Sequence, residues 1–186
     1  MTVRPVALTR LLAFLVAGVM LGPEQATFAQ DQPLVTTVIL VRHAEKVAES
    51  RDPPLSPAGV ERAGVLVHVL GHVPIEAIYA TPYVRTRETA RPLAEALGLP
   101  VTELPVTPTY AADLAELIRM EHGGGVVLVV GHSNTTPDVI GALGVADPPT
   151  IADDQYDDLF VVTLAPDGAA QLLALRYGRP RGRAPL

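Results

Sequence analysis

The sequence predicts one α/β domain, a three-layer α/β/α sandwich around a mostly parallel sheet, with an antiparallel hairpin strand at its C-terminal end. Three observations point there. Between residues 35 and 143, short apolar runs alternate with longer amphipathic segments, the order expected of strands each followed by a covering helix. The runs at 35–41 and 126–130 are apolar almost throughout, as in strands buried on both faces. Two further runs flank Pro166-Asp167-Gly168, a hairpin signal.

The elements follow in order. Residues 35–41 form the first strand. Ser56-Pro57 opens a helix, with serine as N-cap and proline where its missing N–H costs nothing, and Gly71 ends it. Residues 77–80 form a short second strand. Thr81-Pro82 caps a helix that runs to Leu97 and stops at Gly98, with Pro92 expected to bend or split it. A third strand covers 101–104 and a third helix 110–121. Gly123-Gly124-Gly125 then turns the chain into the strand at 126–130. Residues 134–143 read as a helix, 144–150 as a loop, and 159–164 with 170–177 as the hairpin. No internal repeat or second domain is evident, so the domain is expected over 34–178, with 179–186 a flexible tail.

Composition narrows the chemistry. With no cysteine in 186 residues, disulfides, thiolate nucleophiles and cysteine-ligated metals are excluded. A formal charge of −6 argues against nucleic-acid binding. Lys46 is the only lysine, so nearly all cations are arginines, whose forked donors fit phosphate oxygens. Residues 1–29 read as a signal peptide cleaved after Ala29: Arg4 and Arg10 precede an apolar run at 11–22, and Thr27-Phe28-Ala29 places small residues at the cleavage positions. That run falls short of the ~20 residues a spanning helix needs, so no stable membrane anchor is expected and the product is periplasmic or secreted.

In open α/β sheets ligands bind beyond the carboxyl ends of the strands. Here the first strand ends in Arg42-His43-Ala44-Glu45, the second runs into Thr81-Pro82-Tyr83-Val84-Arg85-Thr86, and the fourth into Gly131-His132-Ser133-Asn134. Two histidines and two arginines thus fall on one rim although they lie far apart in the chain.

These motifs, with Leu55-Ser56-Pro57-Ala58-Gly59, Arg62-Ala63 and Glu88-Thr89-Ala90, fall in an order and spacing that resembles the histidine phosphatase (phosphoglycerate mutase-like) superfamily. The resemblance implies that fold and a phosphomonoester hydrolase, with a phosphohistidine forming on His43. It assigns Arg42 and Arg85 to the non-bridging phosphate oxygens and His132 to a donor across the phosphate. Backbone N–H groups near Ser133 and Asn134 would add anion affinity at a helix start. No cofactor or metal is implied, because the cations are side chains. The expected partner is a small phosphate compound, organic or from the cell envelope, met by a monomer or weak oligomer.

The proton donor departs from the family pattern. Mutase-like members place a glutamate shortly after the third strand, whereas this stretch reads Val106-Thr107-Pro108-Thr109-Tyr110. Glu45, Glu103 and Asp113 are the candidates. The small phosphohistidine phosphatases also lack an obvious acid, which keeps a phosphoramidate substrate open, and a non-catalytic phosphate- or phosphoprotein-binding module is the other alternative.

Several residues invite competing readings. Arg87 lies about 200° around the helix from Arg85, so only one faces the pocket, and the motif position selects Arg85. His68 and His72 read as helix-surface residues, His122 as a helix C-terminal cation, and the acidic run 153–158 as a solvated strand entrance. A serine hydrolase built on Ser133 is rejected, since no histidine follows it to complete a triad.

Overall fold

The structure, a computed structural model, describes residues 34–47 and 51–179. The expected signal peptide, and the tail beyond residue 179, lie outside the described residues. Compactness separates residues 1–31 from 32–186, and every described residue belongs to the second unit.

Ten elements follow one another: β1 (Thr36–Arg42), α1 (Pro57–Leu70), β2 (Ile75–Ala80), α2 (Val84–Leu97), β3 (Val101–Glu103), α3 (Tyr110–Glu121), β4 (Val126–Gly131), α4 (Thr135–Ala142), β5 (Asp158–Leu164) and β6 (Ala170–Arg176). They build one six-stranded sheet in the order β3-β2-β4-β1-β5-β6. The first four positions are mutually parallel, while β5 runs antiparallel to β1 and β6 antiparallel to β5. The α/β expectation thus holds, with the antiparallel pair added beside β1.

The apolar runs explain the layering. Along β1, Val38 and Leu40 pack with Leu114 and Ile118 of α3 and Val139 and Ile140 of α4. The intervening Ile39 and Val41 pack on the other face with Leu66 and Leu70 of α1 and Ala90 and Leu93 of α2. A period of two sends successive side chains to opposite layers, so a strand covered on both faces must be apolar throughout. Each such side chain fully buried is worth about 1.5–3 kcal/mol. Among the described residues no helix is long and apolar enough to cross a membrane.

Helix starts matched expectation unevenly. Ser56 caps α1, its hydroxyl accepting from the Gly59 N–H at 3.2 Å, with Pro57 in the first turn. Gly59 is required there, because a Cβ would lie 2.0 Å from the Glu45 carbonyl oxygen. Thr81 does not cap α2. Tyr83 occupies the N-cap position without a side-chain bond, and the carboxylate of Asp52, distant in sequence, accepts from the Val84 N–H at 3.0 Å. Pro92 neither splits α2 nor ends it; the helix is continuous because its buried face, including Thr89, Ala90 and Leu93, outweighs one lost backbone bond.

Candidate functional site

Parallel pairing at the sheet centre sets the site. β1 lies beside β4 with Arg42 opposite Gly131, and the His43 N–H donates to the Gly131 carbonyl at 2.8 Å. The next residue of each strand is therefore a histidine, and the rings of His43 and His132 meet edge-on with centroids 5.3 Å apart. Arg85 reaches the same point from the first turn of α2, its Nη2 donating to His132 Nδ1 at 3.4 Å. Gly131 lets α4 close over the strand end, since a Cβ there would stand 2.8 Å from the hydroxyls of Thr135 and Thr136.

Arg42, His43, Arg85 and His132 line one cavity of about 310 Å³, in the small-molecule range. Ser133 and Asn134 line it too, with Lys46, Tyr83 and Val106 towards its edge. Arg42 is 5 % exposed, His43 3 % and His132 9 %. A larger cavity, about 490 Å³, is lined by Leu34, Leu164 and Pro166 near the opposite end of β1, and its one cation is Arg119. The paired histidines and arginines mark the first as the candidate site.

Hydrogen-bond partners assign the tautomers. His43 Nδ1 lies 2.8 Å from the Ala44 carbonyl, which can only accept, so Nδ1 carries the proton and Nε2 keeps its lone pair. Burial, reinforced by His132, Arg42 and Arg85, holds the His43 pKa down to about 3 against the Ala44 hydrogen bond. For His132 the partners are reversed. Arg85 can only donate to Nδ1, so Nε2–H donates to the Thr81 hydroxyl at 2.8 Å. Thr81 donates on to Thr86, whose hydroxyl donates to the Thr81 and Tyr83 carbonyls. Burial, then Arg85 and Arg42, lowers the His132 pKa to about 4. In this arrangement His132 Nδ1 is an acceptor. It becomes the expected donor to an anion only by taking up a proton.

Each arginine is braced on a tyrosine. Arg42 lies 4.2 Å from the Tyr156 ring centre, and its Nη1 donates to the carbonyls of Ala152, Asp153 and Gln155 at 2.8–3.0 Å. Arg85 lies 4.5 Å from the Tyr83 ring and 3.4 Å from Asp52. Tyr156 also flanks His43, and Tyr83 flanks His132. Both guanidinium groups keep a buried Nε–H without a partner among the described residues. A buried unpaired donor costs about 1–3 kcal/mol. Each arginine thus holds one donor that the described residues leave unsatisfied.

Sequence reasoning missed three of these supports. The acidic run is solvated only in its first half: Asp153 and Asp154 are exposed, but Asp157 is 3 % and Asp158 6 % exposed, Asp157 pairs with Arg176 at 2.8 Å, and Asp158 accepts from Gln155. This turn holds Arg42, and its only signal was a tyrosine and glutamine among acids. Asp52 and Val106 were likewise unforeseen at the site.

The three proton-donor candidates stand elsewhere. Glu45 is held by Arg62 in a three-point pair at 2.7–3.0 Å, Glu103 faces Arg87 at 3.4 Å, and Asp113 accepts from the Thr109 hydroxyl at 2.7 Å. None lines the cavity. Arg87, as expected, turns away from it. His68 and His72 are exposed, and among the described residues no cluster of three acids or histidines that could hold a metal exists. His122 is more than a helix-end cation: it bridges Glu76 at 2.7 Å and the Tyr79 hydroxyl at 2.8 Å, tying α3 to β2.

The histidine phosphatase superfamily (branch 1) matches residues 38–106, which include Arg42, His43 and Arg85. No curated protein matches the chain. Similar solved structures include the protein histidine phosphatase SixA complexed with tungstate, at 22% identity over 75% of this chain and 96% of that one, TM-score 0.62. A mycobacterial glucosyl-3-phosphoglycerate phosphatase is 16% identical over 74% and 97%, TM-score 0.59. YhfR of Bacillus stearothermophilus is 17% identical over 74% and 95%, TM-score 0.61. At these identities the likeness is one of fold.

Proposed function

We propose that the chain is a member of the histidine phosphatase superfamily, whose model matches residues 38–106, and that it is a phosphomonoester hydrolase working through a phosphohistidine on His43. One observation carries the reading. A buried imidazole with its proton fixed on Nδ1 keeps an unprotonated Nε2, and it lines one cavity with two arginines.

In the proposed reaction His43 Nε2 forms a bond to phosphorus as the bond to the leaving oxygen breaks, and the leaving oxygen takes the electron pair. Water then attacks the phosphohistidine, the N–P bond breaks, and the water's proton leaves with the phosphate or to solvent. Arg42 and Arg85 hold the non-bridging oxygens, where charge spreads as the phosphoryl group transfers. His132 gains a proton as the anion binds and donates from Nδ1, while the Thr81–Thr86 hydroxyl chain holds Nε2. Ser133 and Asn134 complete the anion site at the start of α4. The arginines supply the positive charge that metal ions supply in other phosphoryl-transfer sites, so no metal takes part.

The substrate is proposed to be a small organic or envelope phosphate, met by an exported monomer or weak oligomer. Residues 1–29 and their signal-peptide pattern are the ground for export. A second reading, hydrolysis of a phosphoramidate such as phosphohistidine, is favoured by one observation. No described residue lining the cavity is a carboxylic acid able to protonate an alkoxide. Steady phosphate release from p-nitrophenyl phosphate, lost in His43→Ala, is the expected result. Equal inertness of wild type and variant across phosphate esters and phosphoramidates would instead establish a non-catalytic binding module.

A further inference from the structure

The cavity has two tiers. Arg42, His43 and His132 form a nearly closed floor, whereas Lys46 is exposed and lines the same cavity at its lip. The lysine is not on a loose strand end. Its backbone bridges to Leu55, the Val47 N–H donates to the Pro54 carbonyl at 3.0 Å, and the Leu55 N–H is held by the Glu88 carboxylate at 2.8 Å. None of the ion pairs described above involves Lys46. Of the described acids near it in sequence, Glu45 is engaged by Arg62, and Asp52 by Val84 and Arg85.

In-line displacement fixes what this lip meets. The group that departs stands opposite the attacking nitrogen of His43, away from the floor and towards the mouth. A cation at that lip favours a leaving group that is itself anionic. The described lining also offers no carboxylic acid, so the leaving oxygen must depart without a proton from such a donor. A phosphoanhydride meets both conditions.

We propose, on the basis of the phosphatase reading above, that the preferred substrates are organic diphosphates, with Lys46 binding the inner, departing phosphate. His43 Nε2 bonds to the terminal phosphorus and the bridging P–O bond breaks. Its electron pair stays on the inner phosphate, which leaves as a monophosphate ester without needing protonation. Water then releases the terminal phosphate from His43. A phosphoramidate lacks this feature, because its leaving nitrogen departs as a neutral group that gains nothing from an ammonium.

The test compares adenosine diphosphate with adenosine monophosphate, which share an organic group but offer an anhydride and an ester. Inorganic phosphoramidate and p-nitrophenyl phosphate complete the panel, for wild type, Lys46→Met and Lys46→Arg. Wild type is expected to favour the diphosphate over the monophosphate by about 100-fold in kcat/KM. Lys46→Met is expected to lower the ratio of diphosphate to p-nitrophenyl phosphate turnover roughly tenfold, and Lys46→Arg to restore most of it. A ratio changed by less than about threefold, a monophosphate turned over as fast as the diphosphate, or a preference for phosphoramidate overturns the assignment while leaving the phosphatase reading intact. Inertness of wild type towards p-nitrophenyl phosphate and the rest of the panel overturns the phosphatase reading itself.

Discussion

Acidification should unfold this protein through the two histidines of the cup. Burial and the adjoining cations hold His43 near a pKa of about 3 and His132 near about 4, whereas either would titrate near 6.5 in an unfolded chain. Between those values the unfolded state binds more protons, so stability is fully present above about pH 7 and is lost as pH falls. At pH 5 each unfolded histidine is favoured by a factor of about 30, or about 2 kcal/mol, and the pair by about 4 kcal/mol. Urea unfolding in phosphate-free buffer at pH 8 and pH 5 reads this directly. Wild type should lose about 2 kcal/mol more than His43→Gln over that interval, and the further change His132→Gln should remove a similar amount again. Other titrating groups contribute equally to all three proteins and cancel. Identical losses in wild type and His43→Gln would refute the assignment of a buried, neutral nucleophile.

Two further perturbations probe the supports. Tyr156→Leu removes the ring that backs Arg42, and should lower kcat/KM for p-nitrophenyl phosphate roughly tenfold, whereas Tyr156→Phe keeps the ring and should restore most of it; equal losses in both would exclude stacking as the cause. Gly59→Ala places a Cβ against the Glu45 carbonyl and should cost about 2–4 kcal/mol by urea unfolding, whereas Gly64→Ala, at an exposed helical position with open space around it, should be neutral or slightly stabilising.

What was legible in the sequence was local or periodic. The run at 35–41 had to be buried on both faces because no alternation is visible, and β1 is covered by α1 and α2 on one side and α3 and α4 on the other. Helical geometry let only one of Arg85 and Arg87 face the pocket, the motif position selected Arg85, and Arg87 indeed turns to Glu103. What was hidden depended on distant contacts. Asp52 caps α2 from 32 residues away, a role that Thr81 beside the helix seemed better placed to take. Thr81 is committed to His132 instead. The 152–155 carbonyls that hold Arg42 belong to a turn whose acidic composition argued for solvent, and composition carries no record of backbone oxygens. Glu45 looked available because it follows His43 so closely; only the fold brings Arg62 onto it.

The most direct measurement is to mix the protein with phosphorus-labelled p-nitrophenyl phosphate, quench into alkaline denaturant within the first turnover, and map the label by peptide. An acid-labile, alkali-stable adduct on His43, absent from His43→Ala, is the predicted result. Label on Ser133, or rapid turnover with no covalent adduct on any residue, would contradict nucleophilic attack by the buried imidazole.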